Sequence, residues 1–460
     1  MVAKLDAGGA VVVAVLGGSV SRGHGGPHGA GSHEQGHPGS WSRLVYDYIS
    51  VRWPGRRHIY ANGAVAATGA LSEVRQADGT THTSARLLAG SAHFAECLPR
   101  HLHPKADLVL LEFAVNDGHG NKGSMSSVET IVRRVTYQRG GYGARPAMAL
   151  VNWWDRWPGR EDGPEARGSS RAEWTPTGFD VSFETVTSSL AHYYDVPSLS
   201  LRDALMQSDL QKVAGFSFED FSDNWVHPNA RGHRMMADAV IHLIAKVADG
   251  MLRERAAARL AELHAHRKHN GSAAQPLPPP PPPGGEPLWL PPPLVEGNDS
   301  EAREPVCRLG DELQPLVTRA DGFTYLADAE KPGWVANTSG AVLELAVGPT
   351  HEGIILSHLR SWRPGMGEGH VTCVAGGCAC DLQRLDGRIN DNVSIMVQHP
   401  FAVSAAPNCT LRIEAVTQSP LAGSEDAAGA AFKVMGVVVT GLGVVPRTGM
   451  VRLPSCIPHR

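Results

Sequence analysis

The chain lacks several things, and each absence narrows its function. No run of about 18 apolar residues occurs, so the sequence predicts no bilayer-spanning helix. Excess positive charge is missing as well: 42 Lys and Arg stand against 46 Asp and Glu, a formal net charge of −4. Binding to nucleic acid through neutralised phosphates therefore finds no electrostatic footprint. Cysteine is nearly absent from the first half, where only Cys97 occurs. The other six cysteines all follow residue 300, an even number that suits up to three disulfides in a C-terminal domain. Long low-complexity stretches are confined to one place, the proline-rich run between Gln275 and Leu294, which favours a stiff extended conformation and marks a domain boundary.

What is present has the make-up of a folded two-domain protein. At 460 residues the chain exceeds the usual single domain. The expected division is 1–268, a proline-rich spacer over 269–304, and 305–460. Six cysteines (Cys307, Cys373, Cys378, Cys380, Cys409 and Cys456) follow residue 300, and Asn-x-Ser/Thr acceptors begin at Asn270, Asn298, Asn337, Asn392 and Asn408. Both features favour a secretory location. Val11–Leu16 is too short for a leader core and is expected to be the first core strand.

Apolar runs and amphipathic runs alternate through the first part: Val11–Leu16, His58–Ala61, Asp107–Phe113, Ala147–Asn152 and Val196–Leu199 read as strands. Helical periods lie near Trp41–Val51, Ser84–Cys97, Ser126–Gln138 and Ser182–Tyr193, and a long helix runs from about Arg231 toward Leu263 with a break at Gly250. This alternation predicts an α/β domain, a parallel sheet covered on both faces. After Pro305, short β-rich runs separated by turn residues predict a sandwich of antiparallel sheets.

Three elements could carry chemistry. The first strand runs into Gly17-Gly18-Ser19, which puts a serine on the turn at a carboxyl strand edge. A second strand ends in Asn116-Asp117, where an amide can donate to a developing oxyanion. Ahead of the long helix lies Asp223-Asn224-Trp225-Val226-His227-Pro228; a histidine before proline is kept out of helix and can reach a serine from another strand.

In this order and spacing the elements resemble the SGNH (GDSL-like) hydrolase family over roughly residues 10–250. The resemblance implies a three-layer α/β/α, flavodoxin-like fold and hydrolysis of carboxyl esters. It makes Ser19 the nucleophile and His227 the base, with an oxyanion hole from the backbone of Ser19 and the Asn116 amide. The family's acid stands three residues before the histidine, where this chain has Asn224; Asp223, four before, is the expected orienting carboxylate, with a neutral Asn224 as the alternative. Asn62-Gly63-Ala64-Val65-Ala66-Ala67 resembles the family's glycine block with alanine at Ala67, whose N–H would complete the oxyanion hole, and Gly63 is the fallback. No cofactor is implied.

The expected partner is a small-molecule or glycan ester, plausibly acetyl groups on carbohydrate. An acyltransferase using the same residues, and a catalytically silent carbohydrate-binding or cell-surface protein, are the alternatives. Trp153, Trp154 and Trp157 follow a strand at the active edge, where they would either stack on sugar or pack in the core. His24, His28, His33 and His37 form a histidine-rich loop rather than a metal site, and His370, Cys373, Cys378 and Cys380 could hold zinc unless the cysteines pair as disulfides.

Overall fold

The computed structural model describes residues 1–24, 37–55, 57–66, 90–117, 122–137, 146–154, 182–222, 227–268, 291–295, 305–328, 331–351, 353–389, 394–418 and 429–440. The chain forms two compact units, the first running from Met1 to Ser300 and the second beginning at Glu301.

In the first unit, five strands form one parallel sheet: β1 (Val12–Gly17), β2 (Ile59–Asn62), β3 (Leu108–Glu112), β4 (Ala147–Asn152) and β5 (Ser198–Ser200). Their order is β2-β1-β3-β4-β5. Every residue of β1 and β3 is buried, which is why these strands read as continuous apolar runs rather than as alternating ones. One face packs on helices Trp41–Arg52 and Ala230–Lys268, through Trp41, Val45, Ile49, Met236, Val240 and Ile244. The other packs on Ser91–Glu96, Lys122–Tyr137 and Phe183–Tyr193, through Phe94, Val128, Ile131, Val135 and Leu190. The three-layer expectation therefore holds, with the flavodoxin-like strand order.

The order matters for function, because it reverses direction between β1 and β3. Loops leaving the carboxyl ends of these two neighbours diverge to opposite faces and open a crevice between them. Ser19 follows β1 and Asn116 follows β3, so both flank that crevice.

The last helix differs from expectation at Gly250, where it continues unbroken from Ala230 to Lys268. A Cβ at Gly250 would meet nothing within 4 Å. A glycine inside a helix costs only about 1 kcal/mol, too little to end a helix that long.

The second unit is a β-sandwich of two antiparallel sheets. The strands are β6 (Val306–Leu309), β7 (Val317–Asp321), β8 (Phe323–Leu326), β9 (Gly333–Ala336), β10 (Val342–Ala346), β11 (Gly353–Ser361), β12 (Glu368–Ala375), β13 (Gln383–Asp386), β14 (Ser394–Ala402), β15 (Thr410–Val416) and β16 (Phe432–Thr440). One sheet runs β13-β12-β15-β10-β7 and the other β14-β11-β16-β9-β8, with β6 also paired to β16. Leu343, Leu345, Leu411 and Ile413 from the first sheet interleave with Ile354, Leu356, Val434 and Val437 from the second. Alternating burial along β10 and β15 reflects one face turned inward, while β16 is buried along its whole length.

Cys373 pairs with Cys380 and Cys378 with Cys409. That settles the alternatives at this cluster: the sulfurs are joined to one another, which leaves no thiolates for zinc. The close approach of Cys373, Cys378 and Cys409 comes from two adjacent disulfides. His370 instead meets Glu368, at 3.0 Å. Two of the five glycosylation acceptors, Asn337 and Asn408, fall on described residues, and both are exposed. No helix among the described residues is long and apolar enough to cross a membrane.

Candidate active site

Ser19 opens the four-residue helix Ser19–Arg22 immediately after β1. The two glycines before it are set by crowding. A Cβ on Gly17 would run into Ser21 and the Glu112 carbonyl, and a Cβ on Gly18 would occupy the place of the Asn116 side chain. The Asn116 amide thus lies directly on the backbone that leads into Ser19. Gly18→Ala is accordingly expected to displace Asn116 and cut kcat by about tenfold or more with a folded protein, checked by steady-state kinetics beside circular dichroism.

His227 reaches the same point from the loop ahead of the last helix, its Nε2 lying 2.8 Å from Ser19 Oγ. Proline at 228 keeps the histidine out of the helix, and the Ser222 hydroxyl donates to the His227 carbonyl at 2.7 Å, fixing the loop. The residues are separated by 208 positions in sequence and meet through the fold alone. Ser19 is 9% exposed and Asn116 8%, so both are sheltered where they flank the crevice.

The imidazole is held neutral. Burial, then the neighbouring His24 and His233, pull the His227 pKa down to about 4. His24 lies beside it, ring centroids 5.6 Å apart. His233, fully buried, accepts from the Trp41 N–H at Nδ1 (3.3 Å) and donates from Nε2 to the His24 carbonyl (3.0 Å). One imidazole therefore fixes the backbone at both 24 and 41. Only the neutral ring can remove a proton, and it is lost as pH falls through its folded pKa. The kcat/KM profile is expected to stay flat down to about pH 5 and fall through about 4. His24→Ala removes one of the depressing neighbours, so its acid limb should shift upward; an unmoved limb would remove His24 from the account.

A polar network braces the turn that carries Ser19. The Asn62 amide donates to the Ser21 carbonyl (2.9 Å) and accepts from the Ala64 N–H (2.9 Å), tying the end of β2 to the serine turn. The Ser21 hydroxyl donates to buried Glu112 at 3.2 Å. On the other side, the Asp117 carboxylate accepts from the Ser91 N–H (3.0 Å), and burial raises its pKa to about 7. It anchors the chain entering Ser91–Glu96 beside Asn116.

Of the expected site residues, the structure brings Ser19, His227 and Asn116 together. Gly63 sits under the His101 backbone and its N–H donates to Val15 O at 2.9 Å, extending the sheet ladder. Ala67, Asp223 and Asn224 lie outside the described residues, as do His28, His33 and Trp157. Trp153 and Trp154 are 2% and 3% exposed and pack against Phe218, which makes them core rather than a stacking platform. The residues that sequence reasoning passed over are Asn62 in its bracing role, Glu112, Asp117 and His233. Only His233 carried a local signal, a second histidine six positions after His227.

A serine hydroxyl against a neutral imidazole at a switch point, with an amide pressed on the serine's turn, is an arrangement that could support acyl transfer. Comparison with known structures adds the fold. A two-domain esterase active on acetylated mannans aligns with a TM-score of 0.61 at 16% identity, over 95% of this chain and 93% of its own. The same esterase co-crystallised with mannopentaose aligns equally well. The likeness spans both units and is one of fold. No family model matches the sequence, and no curated protein matches it.

Proposed function

We propose that the chain is a serine esterase of SGNH type that removes short acyl groups, acetyl above all, from carbohydrate. The Ser19–His227 contact at 2.8 Å carries this reading. His227 takes the hydroxyl proton as Ser19 Oγ attacks the ester carbonyl, and the leaving alcohol receives that proton back. The carbonyl oxygen, now an oxyanion, accepts from the Ser19 N–H, the Asn116 amide and the Ala67 N–H. A water deprotonated by His227 then attacks the acyl-enzyme, the bond from Ser19 Oγ to the acyl carbon breaks with His227 returning the proton to Oγ, and the acid departs. Asp223 is assigned to orient the imidazole. None of these steps calls on a cofactor.

The substrate class rests on two supports: the sheltered crevice favours a small acyl group, and the esterase with the same two-unit fold is active on acetylated mannans. The test is acetate release from acetylated mannan by the full chain. Release that disappears in Ser19→Ala supports the reading; release that persists in that variant, or turnover of p-nitrophenyl acetate without any release from glycan, would refute the catalytic or the substrate assignment respectively.

A further inference from the structure

The proline-rich segment was expected to act as a spacer between domains, yet its end is held on the first unit. Residues 291–295, Pro-Pro-Pro-Leu-Val, lie along helices Lys122–Tyr137 and Phe183–Tyr193, and the protein reads their main chain almost atom by atom. Arg133 Nη1 donates to the Pro291 carbonyl at 2.7 Å. The Tyr193 hydroxyl donates to the Pro292 carbonyl at 2.9 Å. The two oxygens of Glu129 accept from the N–H groups of Leu294 and Val295.

The reading groups are themselves fixed. Glu129 and Arg133 stand one helical turn apart, 0% and 5% exposed, and Tyr194 bridges them: its hydroxyl donates to Glu129 at 2.7 Å and accepts from Arg133 at 2.9 Å. A buried carboxylate and guanidinium are costly to desolvate unless their hydrogen bonds are met, and here the peptide backbone meets part of that demand. Side chains contribute less, since Pro292, Pro293 and Leu294 are exposed.

We infer that this surface is a binding site for an extended, proline-rich peptide, recognised through its main chain and filled in cis by Pro291–Val295. The hydrogen-bond pattern sets its selectivity. Two carbonyls are required at the first two positions, which proline supplies in a preformed extended conformation at small entropic cost. Two N–H groups are required at the fourth and fifth, which proline cannot supply. The six-proline run at 278–283 therefore fails in any register that places prolines there, and Pro-Pro-Pro-Leu-Val fits. This inference is independent of the catalytic reading.

The test uses the full chain with residues 291–295 changed to a Gly-Ser sequence, and the synthetic peptide acetyl-Leu-Pro-Pro-Pro-Leu-Val-Glu-amide as probe in calorimetry. The altered chain is expected to bind the peptide saturably and the natural chain not to, because its site is already filled. A peptide with proline at both the Leu and Val positions should bind the altered chain about tenfold more weakly or worse, having left Glu129 without its donors. A folded altered chain that binds neither peptide, or both equally, would overturn the inference. Should that chain fail to fold, hydrogen exchange on the natural protein decides: the amides of Leu294 and Val295 are expected to exchange at least tenfold slower than in the free peptide, and exchange at the free rate would overturn it equally.

Discussion

Ser19→Ala is expected to lower ester turnover by on the order of 10⁴-fold or more, with little change in thermal stability. The magnitude follows from the chemistry: alanine has no nucleophile, and what remains is binding and the oxyanion donors acting on attack by water. Stability should hold because the described partner of this small hydroxyl is the half-buried His227. His227→Ala is expected to fall nearly as far, and the double variant no further than the worse single one, since nucleophile and base act as one unit. Additive losses in the double variant would mean that the two residues work in separate steps. Both rates are read from initial velocities on p-nitrophenyl acetate.

The second large effect is expected at Asn116. Its amide rests on Gly18, the residue before Ser19, from the short helix Ala114–Asp117 that follows the buried strand β3. Asn116→Ala removes a side-chain donor and should cost about 10²- to 10³-fold in kcat, on the order of 3–4 kcal/mol of transition-state stabilisation. KM should change much less, because a neutral ester carbonyl needs the donor less than the oxyanion does. Asn116→Asp keeps the shape but puts a carboxyl where a donor is required, and is expected to be at least as damaging. A variant with raised KM and unchanged kcat would place Asn116 in ground-state binding instead.

Much of the fold was legible because it is written in periodicity. The runs that became β1, β3 and β4 are almost continuously apolar, broken only at the ends by Glu112 and Asn152, since both sheet faces are covered, and strand and helix alternate as a parallel sheet demands. The serine, asparagine and histidine were legible for a related reason. Glycines, a polar pair after a buried strand, and a His-Pro step are local breaks in those patterns, and the topology brings all three to one crevice.

The bracing network was not legible. Asn62, Glu112, Asp117 and His233 act through partners far away in sequence, and a buried polar residue leaves no mark on a hydrophobic period. The tryptophans show the same limit from the other side: Trp153 and Trp154 stand just past the end of β4, but only Phe218, brought over from a distant turn, decides that they are core. The contacts of Pro291–Val295 were not legible, because composition describes the stiffness of a proline segment and says nothing of its carbonyls. Those carbonyls are unpaired acceptors in any polyproline helix, and Arg133 and Tyr193 use two of them.

The most direct test of the central claim is covalent. The full chain is incubated with an alkyl fluorophosphonate, which traps an activated serine, and the modified residue is located by peptide mass spectrometry. One adduct is expected, on Ser19, formed quickly at neutral pH and lost in His227→Ala. An adduct on another serine, or labelling of Ser19 that is unaffected by His227→Ala, would contradict the assignment of Ser19 and His227 as nucleophile and base.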